Sequence, residues 1–155
     1  VAIGIITADC VPILLYDHSK KIIGCIHSGW KGALNGVIKN TIKKFTELNC
    51  NINDLIVVVG PCIKKENYEV KNDFYKKFVE QNPKYSEFFE KIMDCKYTFD
   101  LRGFINKEIY NLNVKNVENI KMDTFSESNF FYSYRRSHIN KEKDYGRCIS
   151  VILMS

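Results

Sequence analysis

Two short runs in this chain carry residue types that can do chemistry. The first is Thr7-Ala8-Asp9-Cys10-Val11-Pro12; the second is His27-Ser28-Gly29-Trp30-Lys31-Gly32. A cysteine thiolate and a neutral imidazole both bind zinc well. The same pair also makes an activated nucleophile. Residues of these types occur equally as a buried core thiol and a hydrogen-bonded histidine. Spacing alone leaves all three readings open. Between Cys10 and His27 there is room for one strand, one tight turn and a second strand, and that arrangement can bring the two side chains together.

Three further stretches are chemically suggestive. Ser28 to Gly32 opens a predicted helix; it is either a plain turn and N-cap with Trp30 as a core anchor, or a ligand site whose two glycines allow close approach of backbone and where Lys31 adds charge at a helix N-terminus that favours anions. Gly60-Pro61-Cys62-Ile63 is either a turn lining a site or a plain connection. Tyr134-Arg135-Arg136, with Arg147 soon after, is the strongest basic cluster; arginines at a strand end suit phosphate or carboxylate recognition, and equally read as plain surface arginines. His18 and His138 fall in polar loops and read as solvated.

The elements that must position these groups follow from periodicity. Val1 to Ile6 is uniformly apolar and reads as a strand buried on both faces. Val11 to Tyr16 and Lys21 to His27 are strands joined by a polar turn at 17–20. A helix is predicted from Ala33 to Glu47, with Leu34, Val37, Ile38, Ile42 and Phe45 recurring at three and four. Leu55 to Val59 is a buried strand stopped by Gly60-Pro61. Helices are predicted over Glu66–Gln81, ended by Pro83, over Ser86–Met93 and over Asp100–Asn111. Val117 to Met122 reads as an edge strand and Phe130 to Arg135 as a strand with one wet face. Ser137 to Asp144 is a charged loop, and Gly146 to Met154 a last strand. The expected fold class is α/β: mixed β-sheets flanked by helices, layered as in cysteine hydrolases, rather than a doubly wound sheet.

Size and charge limit the partners. The 155 residues fit one domain that can bury a core without disulfide staples. The net charge of +5, from 23 basic and 18 acidic residues, is a mild excess. The doublets Lys20-Lys21, Lys43-Lys44 and Lys64-Lys65 are scattered, not a stripe, so no nucleic-acid partner is expected. No apolar run reaches the ~18 residues of a membrane span. Six cysteines at irregular spacing, without a Cys-x-x-Cys pair, read as thiols of a reducing, cytoplasmic chain.

Taken in order, Thr7-Ala8-Asp9-Cys10-Val11-Pro12-Ile13-Leu14-Leu15, Ile26-His27-Ser28-Gly29-Trp30-Lys31-Gly32, Gly60-Pro61-Cys62-Ile63 with Tyr68-Glu69-Val70, Phe131-Tyr132-Ser133-Tyr134-Arg135-Arg136 and Gly146-Arg147 resemble the bacterial laccase-domain family. Its members are described as multicopper polyphenol oxidases and as purine nucleoside phosphorylases with adenosine deaminase activity. The resemblance implies a single laccase-like domain over 1–155 and one zinc held by His, Cys and His. Cys10 and His27 match the last two ligands, and the first histidine is expected on a segment before Val1. It also implies purine nucleoside and phosphate as substrates, with Lys31, Arg135, Arg136 and Arg147 as anion-binding residues and Asp9 as a proton carrier. Three departures stand out: Asp123-Thr124 where Cys-Thr is usual, Tyr132 within the aromatic run, and Ser137-His138 in place of Asp-Gly. Three histidines are too few for a copper cluster, so zinc is expected rather than copper. Two other functions remain open: a metal-free hydrolase or deamidase using a Cys10–His27 dyad, and a non-enzymatic module binding nucleotides or cell-wall precursors.

Overall fold

The computed structural model describes residues 1–154. Three sheets organise it. At the centre, β2 (Val11–Asp17) lies between β3 (Ile22–Ser28) and β4 (Ile56–Val59), both antiparallel to it, and β8 (Asn116–Asn119) adds to β4 in parallel at the edge. Val11, Ile13 and Leu15 are fully buried, as a central strand of β-branched and aliphatic residues requires. A second, antiparallel sheet has the order β5 (Glu69–Lys71), β7 (Lys96–Phe99), β6 (Phe89–Met93). The third is a ribbon of β1 (Ala2–Thr7) and β9 (Cys148–Leu153). The architecture is thus mixed sheets flanked by helices.

Helices α1 (Trp30–Leu34), α2 (Val37–Glu47), α3 (Asn72–Gln81) and α4 (Leu101–Asn111) cover these sheets. Ile38, Ile42 and Phe45 form the buried stripe of α2, and Leu101, Phe104, Ile105 and Ile109 that of α4. Asp100 caps α4, its carboxylate accepting from the Gly103 amide at 2.8 Å. Between α3, α4 and the second sheet, Phe78, Phe99 and Phe104 are fully buried against one another, with Phe74 and Phe89 around them. Burying each such ring contributes about 1.5–3 kcal/mol. No helix among the described residues is long and apolar enough to cross a membrane.

Several local expectations are corrected. The predicted helix over 33–47 is two helices, because Gly36 adopts a left-handed backbone (φ 78°) between them. The predicted helix from Glu66 starts only at Asn72; before it, Glu69–Lys71 pairs with β7. Ser86–Met93 splits between a short 3-10 turn ending at Phe88 and β6, which turns back into β7 through a left-handed Cys95. Phe88 and Phe89 with Ile92 and Met93 fit helical spacing in sequence, yet pairing with β7 prevails. Phe130–Arg135 is not a strand: Ser133 caps α5 (Tyr134–Ile139), which also takes up the start of the predicted charged loop. Finally, β1 is not buried on both faces. Its outward residues Ala2, Gly4 and Ile6 are exposed beside Leu153, Val151 and Ile149 of β9.

Candidate functional site

The loop between β1 and β2 is held from three directions. Asp9 has a left-handed backbone (φ 78°), a conformation aspartate tolerates better than most residues. Its carbonyl accepts from the Ile63 amide at 3.1 Å, tying the loop to the Gly60-Pro61-Cys62-Ile63 connection. Its buried carboxylate accepts from Thr124 Oγ1 at 2.7 Å, from Ser133 Oγ at 3.0 Å and from the Arg135 amide at 2.7 Å. Three of its roughly four acceptor positions are thereby used. Asp9 is thus a junction between the Cys10 loop and residues 124–135.

Cys10 follows, one residue before β2. A side-chain carbon on Gly29 would stand 2.8 Å from its Sγ, so only glycine lets the sulfur lie there. In the β2–β3 ladder Pro12 faces His27, and Gly29 lies two residues beyond His27. Cys10 therefore sits beside Gly29, just past the end of the ladder that holds His27. Burial, and after it the neighbouring Asp9 carboxylate, push the Cys10 thiol above its usual range. His27 is exposed.

Cys10 opens into a cavity of about 860 Å³. Trp30, Tyr68, Phe74 and Phe125 provide its aromatic walls, while Glu66, Glu69 and Asp73 supply acidic groups. Trp30 is part of the wall and the core at once, with its ring 4.7 Å from that of Phe74. Arg135 enters from α5. Its Nη1 donates to the Glu69 carbonyl at 2.8 Å, and its guanidinium lies 5.5 Å from the centre of the Tyr68 ring. Burial is the chief cause that holds the Tyr68 phenol well above its ordinary range. His138 also lines the cavity, stacked on Tyr134 one helical turn earlier.

The other predicted anion-binding residues are elsewhere. The Arg136 guanidinium bonds three carbonyls, those of Thr124 at 2.9 Å, Phe125 at 2.6 Å and Phe131 at 2.6 Å, and so braces the loop instead of facing the cavity. Arg147 bonds the Tyr145 carbonyl at 3.0 Å and packs on that ring. Lys31 is exposed, with its Nζ over Trp30. The helix it opens has only five residues, too short for a strong N-terminal dipole. Cys62 is inert: burial drives its thiol up to about 12, despite Arg102 Nη2 at 3.2 Å.

Tetrahedral zinc needs three or four protein donors. Among the described residues, no three histidine, cysteine or acidic side chains are grouped to hold a metal. Cys10 and His27 alone do not make a zinc site.

Residues 1–155 match the family model described as multi-copper polyphenol oxidoreductase laccase. The chain belongs to this family. Among relatives of this laccase family, a protein named purine nucleoside phosphorylase from Rickettsia conorii is 38% identical over 149 residues, 96% of this chain and 61% of its own length. One of the same name from Clostridium acetobutylicum is 34% identical over 153 residues, covering 97% of this chain and 61% of its own. A Neisseria meningitidis structure superposes with a TM-score of 0.84 at 29% identity, covering 97% of this chain and 59% of its own. A Bacillus licheniformis structure gives 0.86 at 26%, covering 97% and 56%. The chain thus spans about three fifths of the length of these laccase-family relatives.

Sequence reasoning passed over Thr124 and Ser133, which hold Asp9. Their signal was available only as position: Thr124 follows the Asp123 step, and Ser133 sits in the aromatic run.

Proposed function

We propose that this chain forms the substrate site of a purine nucleoside phosphorylase. The observation that carries the reading is that Cys10 and Arg135 line one aromatic-walled cavity. In phosphorolysis a phosphate oxygen bonds to the ribose C1′ while the C1′–N9 bond breaks, and the electron pair leaves with the purine, which takes up a proton. Arg135 supplies positive charge and planar donors for the phosphate. Tyr68, Phe74 and Trp30 offer apolar faces to a base and exclude water. The names of the relatives support the same substrate class.

Adenosine deamination and zinc dependence are the finer part of the proposal. Bound zinc would supply a Lewis acid and a water activated at neutral pH. This chain offers Cys10 and His27 toward it, and a third donor has to come from outside the described residues. The six free thiols support a cytoplasmic setting.

The test is incubation of the protein with adenosine, inosine or guanosine, with and without inorganic phosphate, followed by separation of the products. Phosphate-dependent release of free base with ribose 1-phosphate is expected. Absence of base release from every nucleoside would sink the proposal. Conversion of adenosine to inosine that a chelator abolishes would support the finer part; deamination that ignores the chelator would refute zinc dependence.

A further inference from the structure

We propose that Asp9 is a positioning residue whose carboxylate locks the start of α5 onto the Cys10 loop, and so sets where Arg135 and His138 stand relative to Cys10. It rests on reading the cavity as the substrate site.

Two segments more than a hundred residues beyond Asp9 meet at this one side chain. Thr124 donates from the loop after β8, Ser133 from the cap of α5, and the Arg135 amide from the first turn of that helix. The Ser133 hydroxyl is used twice: it donates to Asp9 and accepts from the Arg136 amide at 3.1 Å. The cap of α5 is therefore continuous with Asp9. Asp9, Thr124 and Ser133 are all buried, so water cannot readily replace a lost partner. Cys10 is the next residue in the chain, and Arg135 and His138 both reach the cavity from α5. Whatever moves α5 on Asp9 moves Arg135 and His138 relative to the thiol.

Positioning differs from proton transfer in its kinetics. If the docked state of α5 becomes a minority, apparent substrate affinity falls by the docked fraction. At saturation the substrate restores the docked state, and kcat is kept. A proton carrier would instead lower kcat.

The test uses the double variant Thr124→Val/Ser133→Ala, which removes two donors and leaves the Asp9 carboxylate in place. The same protein, treated with chelator, is alkylated with iodoacetamide, and labelling of Cys10 is measured against exposed Cys95 by mass spectrometry. Losing two hydrogen bonds to a carboxylate should raise KM and the Cys10-to-Cys95 labelling ratio by about tenfold or more, with kcat within about twofold. The conservative pair Thr124→Ser with native Ser133 should restore both values. The proposal is overturned if the double variant leaves KM and labelling as they were. It is equally overturned if Asp9→Asn lowers kcat while the double variant changes nothing, since Asp9 would then act on the reaction directly. If the parent protein turns over no nucleoside, the functional reading fails, and the labelling ratio still decides the role of Asp9.

Discussion

The Arg136 guanidinium donates from Nη1 to the Phe125 carbonyl at 2.6 Å, while its neighbour Arg135 turns the other way and reaches the Glu69 carbonyl. Two adjacent arginines, equivalent in composition, thus have separate work. Arg136 stitches together the loop over 124–131; Arg135 brings charge to the cavity.

Replacing Arg136 by methionine should therefore cost stability. It strands three carbonyls, and a loss of about 2–4 kcal/mol is expected in urea unfolding. Arg135→Met should change stability by less than about 1 kcal/mol, yet raise KM for phosphate at least tenfold. A phosphate KM that responds to Arg136→Met alone would refute this division.

Asp123 sets an acid limit on stability. Burial works against its ionised form, but Ser126, the Lys64 and Phe125 amides and Asn67 donate to it and together hold its carboxyl below the usual range. The unfolded carboxyl titrates near ~3.9. The stabilisation is thus complete above that pH and is lost as pH falls through the lower folded value. Urea midpoints measured from pH 6 down to ~3 should fall more steeply for the parent than for Asp123→Asn. Parallel curves would refute the assignment.

Gly29→Ala should disturb the site with little effect on the distant core. The new carbon would meet Cys10 Sγ at 2.8 Å, so one of the two must move. A cost of about 1–3 kcal/mol is expected. A two-dimensional NMR spectrum should show shifts confined to the Cys10 loop and the start of α1, and shifts spread over α4 would contradict it.

The cysteines should be alkylated in an order set by burial. Cys95 is exposed and should react first in the native protein at neutral pH. Cys62, fully buried with its thiol at about 12, should react only on unfolding. Mass-resolved labelling over time reads the order directly, and early labelling of Cys62 would mean that the connection between Pro61 and Ile63 opens in the native state.

The first three strands were legible because their apolar runs are bounded by a polar turn and by the Ser28-Gly29 step. The placing of Cys10 before β2 and of His27 near the end of β3 followed from that ladder. Other features depend on partners remote in sequence. Nothing local to Asp9 announces Thr124 or Ser133, and nothing local to Arg136 announces three carbonyls. Phe89 to Met93 fits a helix by spacing and becomes a strand only because β7 lies beside it. The aromatic alternation over 130–135 resembles a strand, but Ser133 finds a better role as the cap of a helix. In β1 the apolar run was plain; its exposure was not, since periodicity cannot show whether a second layer covers a face.

The pairing of β1 with β9 has a kinetic consequence. Ala2 lies opposite Leu153, so the ribbon closes a loop of nearly the whole described chain. Such remote contacts are entropically costly and form slowly. Among the described residues β1 pairs only with β9, and the Asp9 carboxylate is held only by residues 124–135, so both contacts wait on the last third of these residues. The Cys10 corner is therefore completed by contacts of high sequence separation, and among the described residues it should be late to set.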